Sequence, residues 1–286
     1  MMIDFTECPR IAGRAYNGAN GKKIAVEYNG EAWILKFPPN AASKPNELSY
    51  SNSCISEHLG STIFRLIGID AQETMLGIHV NGKTKVVCAC KDFTTPTTRL
   101  YDFCSIKNTV IDSETGGTGT ELSDVLKTIE LQGFMDPVIV LERFWQMFVV
   151  DAFLGNFDRH NGNWGFLTDM LTGESRLAPV FDCGSCLLPQ ADNVIMKKCL
   201  DNPDEMNARI FTFPASMLKV ENRKINYYEF LHGTNLPSEL TQALQELQPK
   251  IKSLDVESIV LATPSLTPLQ QDFYTNYLNR RREILL

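Results

Sequence analysis

Between Gly155 and Phe166 the chain gathers Asp158, Arg159, His160, Asn161 and Asn163 into one short polar segment. Apolar sequence flanks it on both sides, Val138–Leu154 before and Trp164-Gly-Phe-Leu167 after. Polar residues anchored against a core carry a desolvation cost, and residues kept there are candidates for function. Nineteen residues beyond Asn163, the apolar run Pro179-Val-Phe ends in Asp182, with Gly184 close behind. Two acids and an asparagine from neighbouring elements supply oxygens of the kind Mg²⁺ takes, phosphates and water completing the octahedron. The chemistry these residues suit is the handling of phosphate.

The elements that must position them are legible in outline. Ile24–Tyr28, Asn29-Gly30 and Glu31–Phe37 read as strand, tight turn and strand, because Asn-Gly supplies the positive φ of a type I′ turn. Thr74–Val80, Asn81-Gly82 and Lys83–Phe93 repeat the pattern. Between them, Ile55, Leu59, Ile63 and Leu66 mark one face of a helix over about 46–66. Residues 94–121, rich in Thr, Ser and Gly, read as a connector or mobile loop. Asp136-Pro137 then opens a helix that is apolar on most faces, with further helices near 122–131, 237–252 and 267–285 and residues 254–260 undecided. The expected division is a β-rich N-lobe over 1–93, the connector over 94–121 and a helical C-lobe over 122–286. The class is α+β.

Composition narrows the alternatives. With 286 residues, 43% hydrophobic and 21% charged, the chain is globular. A net charge of −7 argues against a broad grip on nucleic acid or anionic lipid. Val138–Leu154 contains Glu142, Arg143 and Asp151, each costing about 2.5–3.5 kcal/mol at a bilayer centre, so it reads as a buried helix and no integral membrane association is expected. No Sec-type signal is visible at the N-terminus. The eight cysteines are scattered, and Cys183-Gly-Ser-Cys186 is one knuckle where a four-cysteine zinc site needs two. They read as buried thiols of a reducing, cytoplasmic compartment. Arg280-Arg281-Arg282 reads as complementing a C-terminal helix dipole.

Asp158-x-His160-x-x-Asn163 followed by Asp182 resembles the catalytic segment of the HipA-like Ser/Thr kinases. Its Asp-Arg-His-x-x-Asn form is also similar to the phosphatidylinositol 3/4-kinases. The N-terminal part agrees: Lys36 in Trp33-Ile-Leu-Lys-Phe37 holds the third-strand position of the phosphate-binding lysine, and Ser56-Glu57-His58-Leu59 resembles the helix whose Glu pairs with it. Gly18-Ala-Asn20-Gly21-Lys22-Lys23 holds the phosphate-loop position. The resemblance spans roughly residues 10–190. It implies a bilobal protein-kinase-like fold with an ATP cleft between lobes, and transfer of the γ-phosphoryl of Mg-ATP to protein Ser/Thr hydroxyls, with autophosphorylation.

By that resemblance Asp158 is the catalytic base, and Asn163 and Asp182 hold Mg²⁺. Lys36 neutralises the nucleotide phosphates and pairs with Glu57, Glu47 being an alternative. Gly18, Asn20, Gly21 and Lys22 line the phosphates, while Cys90 and Phe93 lie in the hinge that reads adenine. His160 fixes the loop, and Arg159 contacts a phosphate or a phosphorylated side chain, or faces solvent. Ser113, Thr115, Thr118 and Thr120 are candidate phosphosites. The partners implied are ATP and a protein substrate. The chain begins almost directly at the N-lobe, without the extra subdomain of the family's toxins, which makes an antitoxin partner doubtful. A kinase without a signal peptide can still leave its cell and act in a host. A phosphoinositide-type lipid kinase fits poorly with the acidic charge and the single Lys197-Lys198 pair. A catalytically inactive binding protein of kinase fold fits poorly with competent residues at the base, metal and lysine positions.

Overall fold

The computed structural model describes residues 2–12, 22–39, 51–112 and 115–285. Gly18, Asn20, Gly21, Glu47 and Ser113 lie outside them. In chain order come β1 (Ile3–Asp4), β2 (Lys23–Tyr28), β3 (Glu31–Lys36), α1 (Ser53–Leu66), β4 (Thr74–Asn81), β5 (Lys83–Lys91) and β6 (Thr98–Asp102). Then follow α2 (Phe103–Val110), α3 (Leu122–Leu131), α4 (Pro137–Leu154), β7 (Gly165–Asp169), β8 (Ser175–Leu177), α5 (Asn193–Asp201) and α6 (Pro203–Asn207). The chain closes with β9 (Ala215–Val220), β10 (Arg223–Asn226), α7 (Tyr227–Leu231), α8 (Ser238–Ser253), α9 (Val256–Ala262) and α10 (Pro268–Arg281). Residues 94–121, expected as a loop, thus carry β6 and α2, and the undecided 254–260 stretch is largely α9. Among the described residues no helix is long and apolar enough to cross a membrane.

Contacts gather the chain into two compact units. The first takes Met1–Phe93, Cys183–Met206 and Asp255–Leu278. Its sheet runs β1-β4-β5-β3-β2, antiparallel except for the parallel β1–β4 edge. At the first hairpin Asn29 and Gly30 both take positive φ (52° and 76°), the backbone a type I′ turn demands. At the second, Gly82 alone does (72°). One sheet face packs Val26, Trp33, Leu35, Val87 and Ala89 around Phe5. Helix α1 buries Ile55, Leu59 and Ile63 as their spacing predicts, whereas Leu66 is exposed. Gly60 of the same helix lets Cys183 and Cys186 approach, since a β-carbon there would sit 2.7 Å from that of Cys183.

The second unit takes Thr94–Asp182, Asn207–Leu254 and Asn279–Leu286. Helix α4 is its centre. Asp136 caps it by accepting from the Val138 amide (2.9 Å), Pro137 occupies the first turn, and Gly155 ends it in a left-handed conformation (φ 65°). Every residue from Met147 to Leu154 is buried, so the last carbonyls of the helix have no solvent to turn to. Arg281 reaches them instead. Its guanidinium, 0% exposed, donates to the carbonyls of Ala152, Phe153 (3.4 Å), Arg209 (3.3 Å) and Ile210 (2.7 Å). The arginine run therefore does more than complement its own helix: its middle member caps another one. Arg281→Met removes four donations to backbone carbonyls, of which that of Ala152 keeps the Gly155 amide, so a loss of about 3 kcal/mol is expected. Thermal unfolding should show a melting temperature lowered by about 6–10 °C.

Candidate active site

The polar segment leaves α4 directly, and a carboxylate inside that helix organises it. Asp151 is 2% exposed, a position that strongly disfavours a charge unless it is paired. Arg159 supplies the pair in a fork, Nε to Oδ2 at 2.8 Å and Nη2 to Oδ1 at 3.2 Å, and Asn156 Nδ2 adds a donation to Oδ1 at 2.8 Å. The remaining arm of Arg159, Nη1, donates to the carbonyls of Asn163 (3.0 Å) and Phe181. One buried guanidinium thereby ties the helix, the polar turn and the residue before Asp182 together. This corrects the expectation that Arg159 contacts a phosphate or faces solvent.

The turn is closed by its own side chains. Asn156 Oδ1 accepts from the Asp158 amide (3.0 Å), and the Tyr227 hydroxyl donates to the Asn156 carbonyl (2.7 Å). His160 Nδ1 accepts from the Gly162 amide at 3.0 Å, so in the neutral ring the proton resides on Nε2. Asn163 Nδ2 donates to the Asp158 carbonyl (2.8 Å), which aims its Oδ1 in the opposite sense. Asp182 takes a left-handed backbone (φ 59°), a conformation Asp tolerates better than most side chains. Asp158, Asn163 and Asp182 are thus carried by one hydrogen-bonded framework. Two carboxylates and an amide oxygen suit Mg²⁺, which is held by one or two carboxylates and completes its shell with phosphates and water. Among the described residues no three His, Cys, Asp or Glu side chains gather into a metal-holding group.

In the first unit, Lys36 Nζ lies 2.9 Å from Glu57 Oε1, the glutamate 2% exposed on α1 and the lysine at the end of β3. Gly184, two residues past Asp182, lies against the same carboxylate, where a β-carbon would come within 3.1 Å of Oε2. Lys22 places its ammonium 5.6 Å from the centre of the Phe37 ring. Cys90 is fully buried within β5, registered with Ile34 on one side and Thr74 on the other. Its place in the hinge is corrected on that ground: its backbone groups serve the sheet, which leaves Phe93, beyond the strand, as the hinge candidate. In the connector, Thr120 is buried and its hydroxyl donates to the Met217 carbonyl at 2.6 Å, so it is no phosphosite in this conformation. Thr115 and Thr118 are exposed.

The comparisons with known proteins place the whole chain in a family. A family model described as the HipA-like C-terminal domain matches residues 15–251. The chain belongs to the HipA-like family. It is 46% identical over 285 residues to the serine/threonine-protein kinase CtkA of Helicobacter pylori strain J99, a match covering 99% of this chain and 86% of that protein. The crystal structure of a Helicobacter pylori proinflammatory kinase CtkA matches with a TM-score of 0.92 at 45% identity, covering 100% of this chain and 96% of that one. HipA in a HipA–HipB–operator DNA complex from Shewanella oneidensis MR-1 matches at a TM-score of 0.53 and 16% identity, covering 97% and 65%, a likeness of fold alone. This HipA-like chain is a serine/threonine protein kinase, and its reaction is ATP-dependent phosphoryl transfer.

Burial pushes the Asp158 carboxyl above its ordinary value of 3.8; the Asp182 carboxylate adds to the rise, while His160, Lys224 and Arg159 oppose it. An aspartate that binds its proton more tightly folded than unfolded opposes folding once ionised. The penalty grows as pH rises through the interval above 3.8 and is complete beyond the folded-state pKa. Asp158→Asn should therefore raise the melting temperature at pH 7. That gain should vanish as pH falls below the ordinary carboxylate range, a trend that thermal scans across pH will read.

Proposed function

We propose that the kinase works on Mg-ATP, with Asp158 as the catalytic base and Asn163 and Asp182 as the residues that hold Mg²⁺. The observation that carries this reading is the Arg159 clasp, which fixes all three to one framework through the carbonyls of Asn163 and Phe181. Phosphoryl transfer asks the protein mainly for positioning and charge stabilisation. Asp158, whose burial raises its proton affinity, takes the proton of the substrate Ser or Thr hydroxyl as the new O–P bond forms. Bound Mg²⁺ supplies charge neutralisation of the phosphate oxygens. Lys36, held by Glu57, adds a point charge at the α/β-phosphates. Lys22, Gly18, Asn20 and Gly21 belong to the phosphate loop, and Phe93 to the hinge. The protein's own Thr115 and Thr118 are the exposed acceptors in the connector for autophosphorylation.

Transfer of labelled γ-phosphate to the protein and to a generic basic acceptor tests the assignment. Asp158→Ala should lower kcat about 10²–10⁴-fold. Asp182→Asn should abolish transfer at ordinary Mg²⁺ concentrations, and excess EDTA should do the same to wild type. Transfer that survives Asp182→Asn would show that the metal site lies elsewhere. Lys36→Met is expected to act chiefly on KM for ATP. Phosphosite mapping of active enzyme should find label on Thr115 or Thr118 and none on Thr120.

A further inference from the structure

Asn161 is the one polar residue of the catalytic turn to which the preceding roles assign nothing, yet it is 2% exposed and both its amide protons are used. Nδ2 donates to the Gly117 carbonyl at 2.7 Å and to the Gly119 carbonyl at 2.8 Å. Both acceptors belong to one short turn of the connector, Gly116–Thr118 and the residue after it. That turn is itself fixed from several directions. The Gly117 amide donates to Asn108 Oδ1 (2.5 Å), and the ammonium of Lys107, 0% exposed, donates to the Gly116 carbonyl (3.0 Å) while facing Asp124 Oδ2 at 3.5 Å. A β-carbon on Gly117 would overlap the Cys104 carbonyl oxygen, so glycine is needed for the turn to lie this close to α2. On its far side the turn runs into β9, where the Lys219 amide donates to the Thr120 carbonyl at 2.9 Å.

We infer that Asn161 is a positioning residue for phosphoryl transfer: it hangs the catalytic turn on the 116–119 turn, and so holds in place the turn that carries Asp158 and Asn163. The inference rests on the catalytic roles proposed above. Arg159 secures the turn to α4 from one side, and its donation to the Asn163 carbonyl leaves the centre of the turn, residues 160–162, without that support. Asn161 secures this centre from the other side. Its two donations converge on carbonyls two residues apart, which a single-donor side chain cannot reproduce. A consequence is that the connector's conformation is linked to the catalytic turn, through the Asn108–Gly117 contact and the Asn161 amide in series.

Two variants test this, Asn161→Ala and Asn108→Ala, the second made on the exposed surface of α2 and outside the catalytic machinery. Asn161→Ala should lower kcat about 10²-fold, the scale of a small misplacement of reacting groups, with KM for ATP nearly unchanged. Asn108→Ala should give a smaller loss of the same kind. The double variant should cost no more than Asn161→Ala alone, because both break one chain of contacts. Hydrogen exchange of the nucleotide-free protein gives the readout independent of activity: peptides over 156–164 should exchange about 10-fold faster in Asn161→Ala, with those over 144–152 in α4 unchanged. Multiplying effects of the two substitutions, wild-type exchange over 156–164, or a kcat within about twofold of wild type would overturn the inference. If Asn161→Ala does not fold, Asn108→Ala must by itself speed exchange over 156–164, and unchanged exchange there overturns it equally. Absence of transfer by wild type would instead strike the proposed catalytic roles, and the exchange result would stand apart from it.

Discussion

The buried pair of Asp151 and Arg159 is the constraint on which the rest of the second unit's chemistry depends. Taken alone, such a pair is a doubtful source of stability, because removing two ions from water costs several kcal/mol each and their attraction only partly offsets it. What distinguishes this one is the number of acceptors it serves. The guanidinium reaches both Asp151 oxygens and two backbone carbonyls, and Asn156 completes the carboxylate. Few alternative conformations satisfy all of these groups, so the pair selects one geometry for the turn. Breaking one partner would strand the other, at a cost of about 3–5 kcal/mol.

That geometry is useful only if its base is rigid, and the base is α4. A helix with a fully buried C-terminal half must find partners for its last carbonyls, and Arg281 brings them from the other end of the chain. Immediately beyond, Trp164 stacks on Phe103 with ring centres 4.0 Å apart, and the Phe103 amide donates to the Trp164 carbonyl at 2.9 Å. The polar turn is therefore bounded by an arginine-capped helix on one side and an aromatic stack on the other. For a reaction in which the protein contributes mainly position and charge, such bracing is the structural counterpart of catalysis.

Much of this frame was legible in the sequence wherever the signal is local. Asn29-Gly30 announces its hairpin by backbone conformation, Asp136-Pro137 and Gly155 bracket α4 by capping chemistry, and α1 shows most of its buried face by periodicity. The carboxylates and Asn163 stood out because polar types in apolar surroundings are unusual. The supports did not stand out, for a physical reason. Asn161, Arg281 and the Nη1 arm of Arg159 act on backbone carbonyls, which every residue possesses, so those partners leave no mark on residue type. Their acceptors are also remote: Arg281 reaches back 128 and 129 positions, and Asn161 reaches 42 and 44. The only sequence trace of the Asn161 contact is the glycine-rich stretch at 116–119, which reads equally well as a loose linker. Cys90 shows the converse difficulty. A hydrophobic strand end and a hinge have the same residue types, and only the register of β5 against β3 and β4 separates them.

Asp158 gives the arrangement its direction. The framework that positions it also buries it near Asp182, and both effects disfavour its ionised form. In a protein selected for stability alone the simplest remedy would be a neutral side chain at 158 or 182. The chain instead keeps both acids: the Arg159 fork is turned to Asp151 and to carbonyls, Asn163 offers an amide, and the nearby positive charges lower the Asp158 proton affinity only in part. His160, Lys224 and Arg159 offset part of the imbalance, but Asp158 still binds its proton more tightly than an ordinary carboxylate. A ligand carrying positive charge into this place would relieve it, and whatever binds the folded state alone also stabilises that state. Under the proposed roles, affinity for Mg-ATP and the proton affinity of the base both arise from carboxylates that folding holds together against their own repulsion.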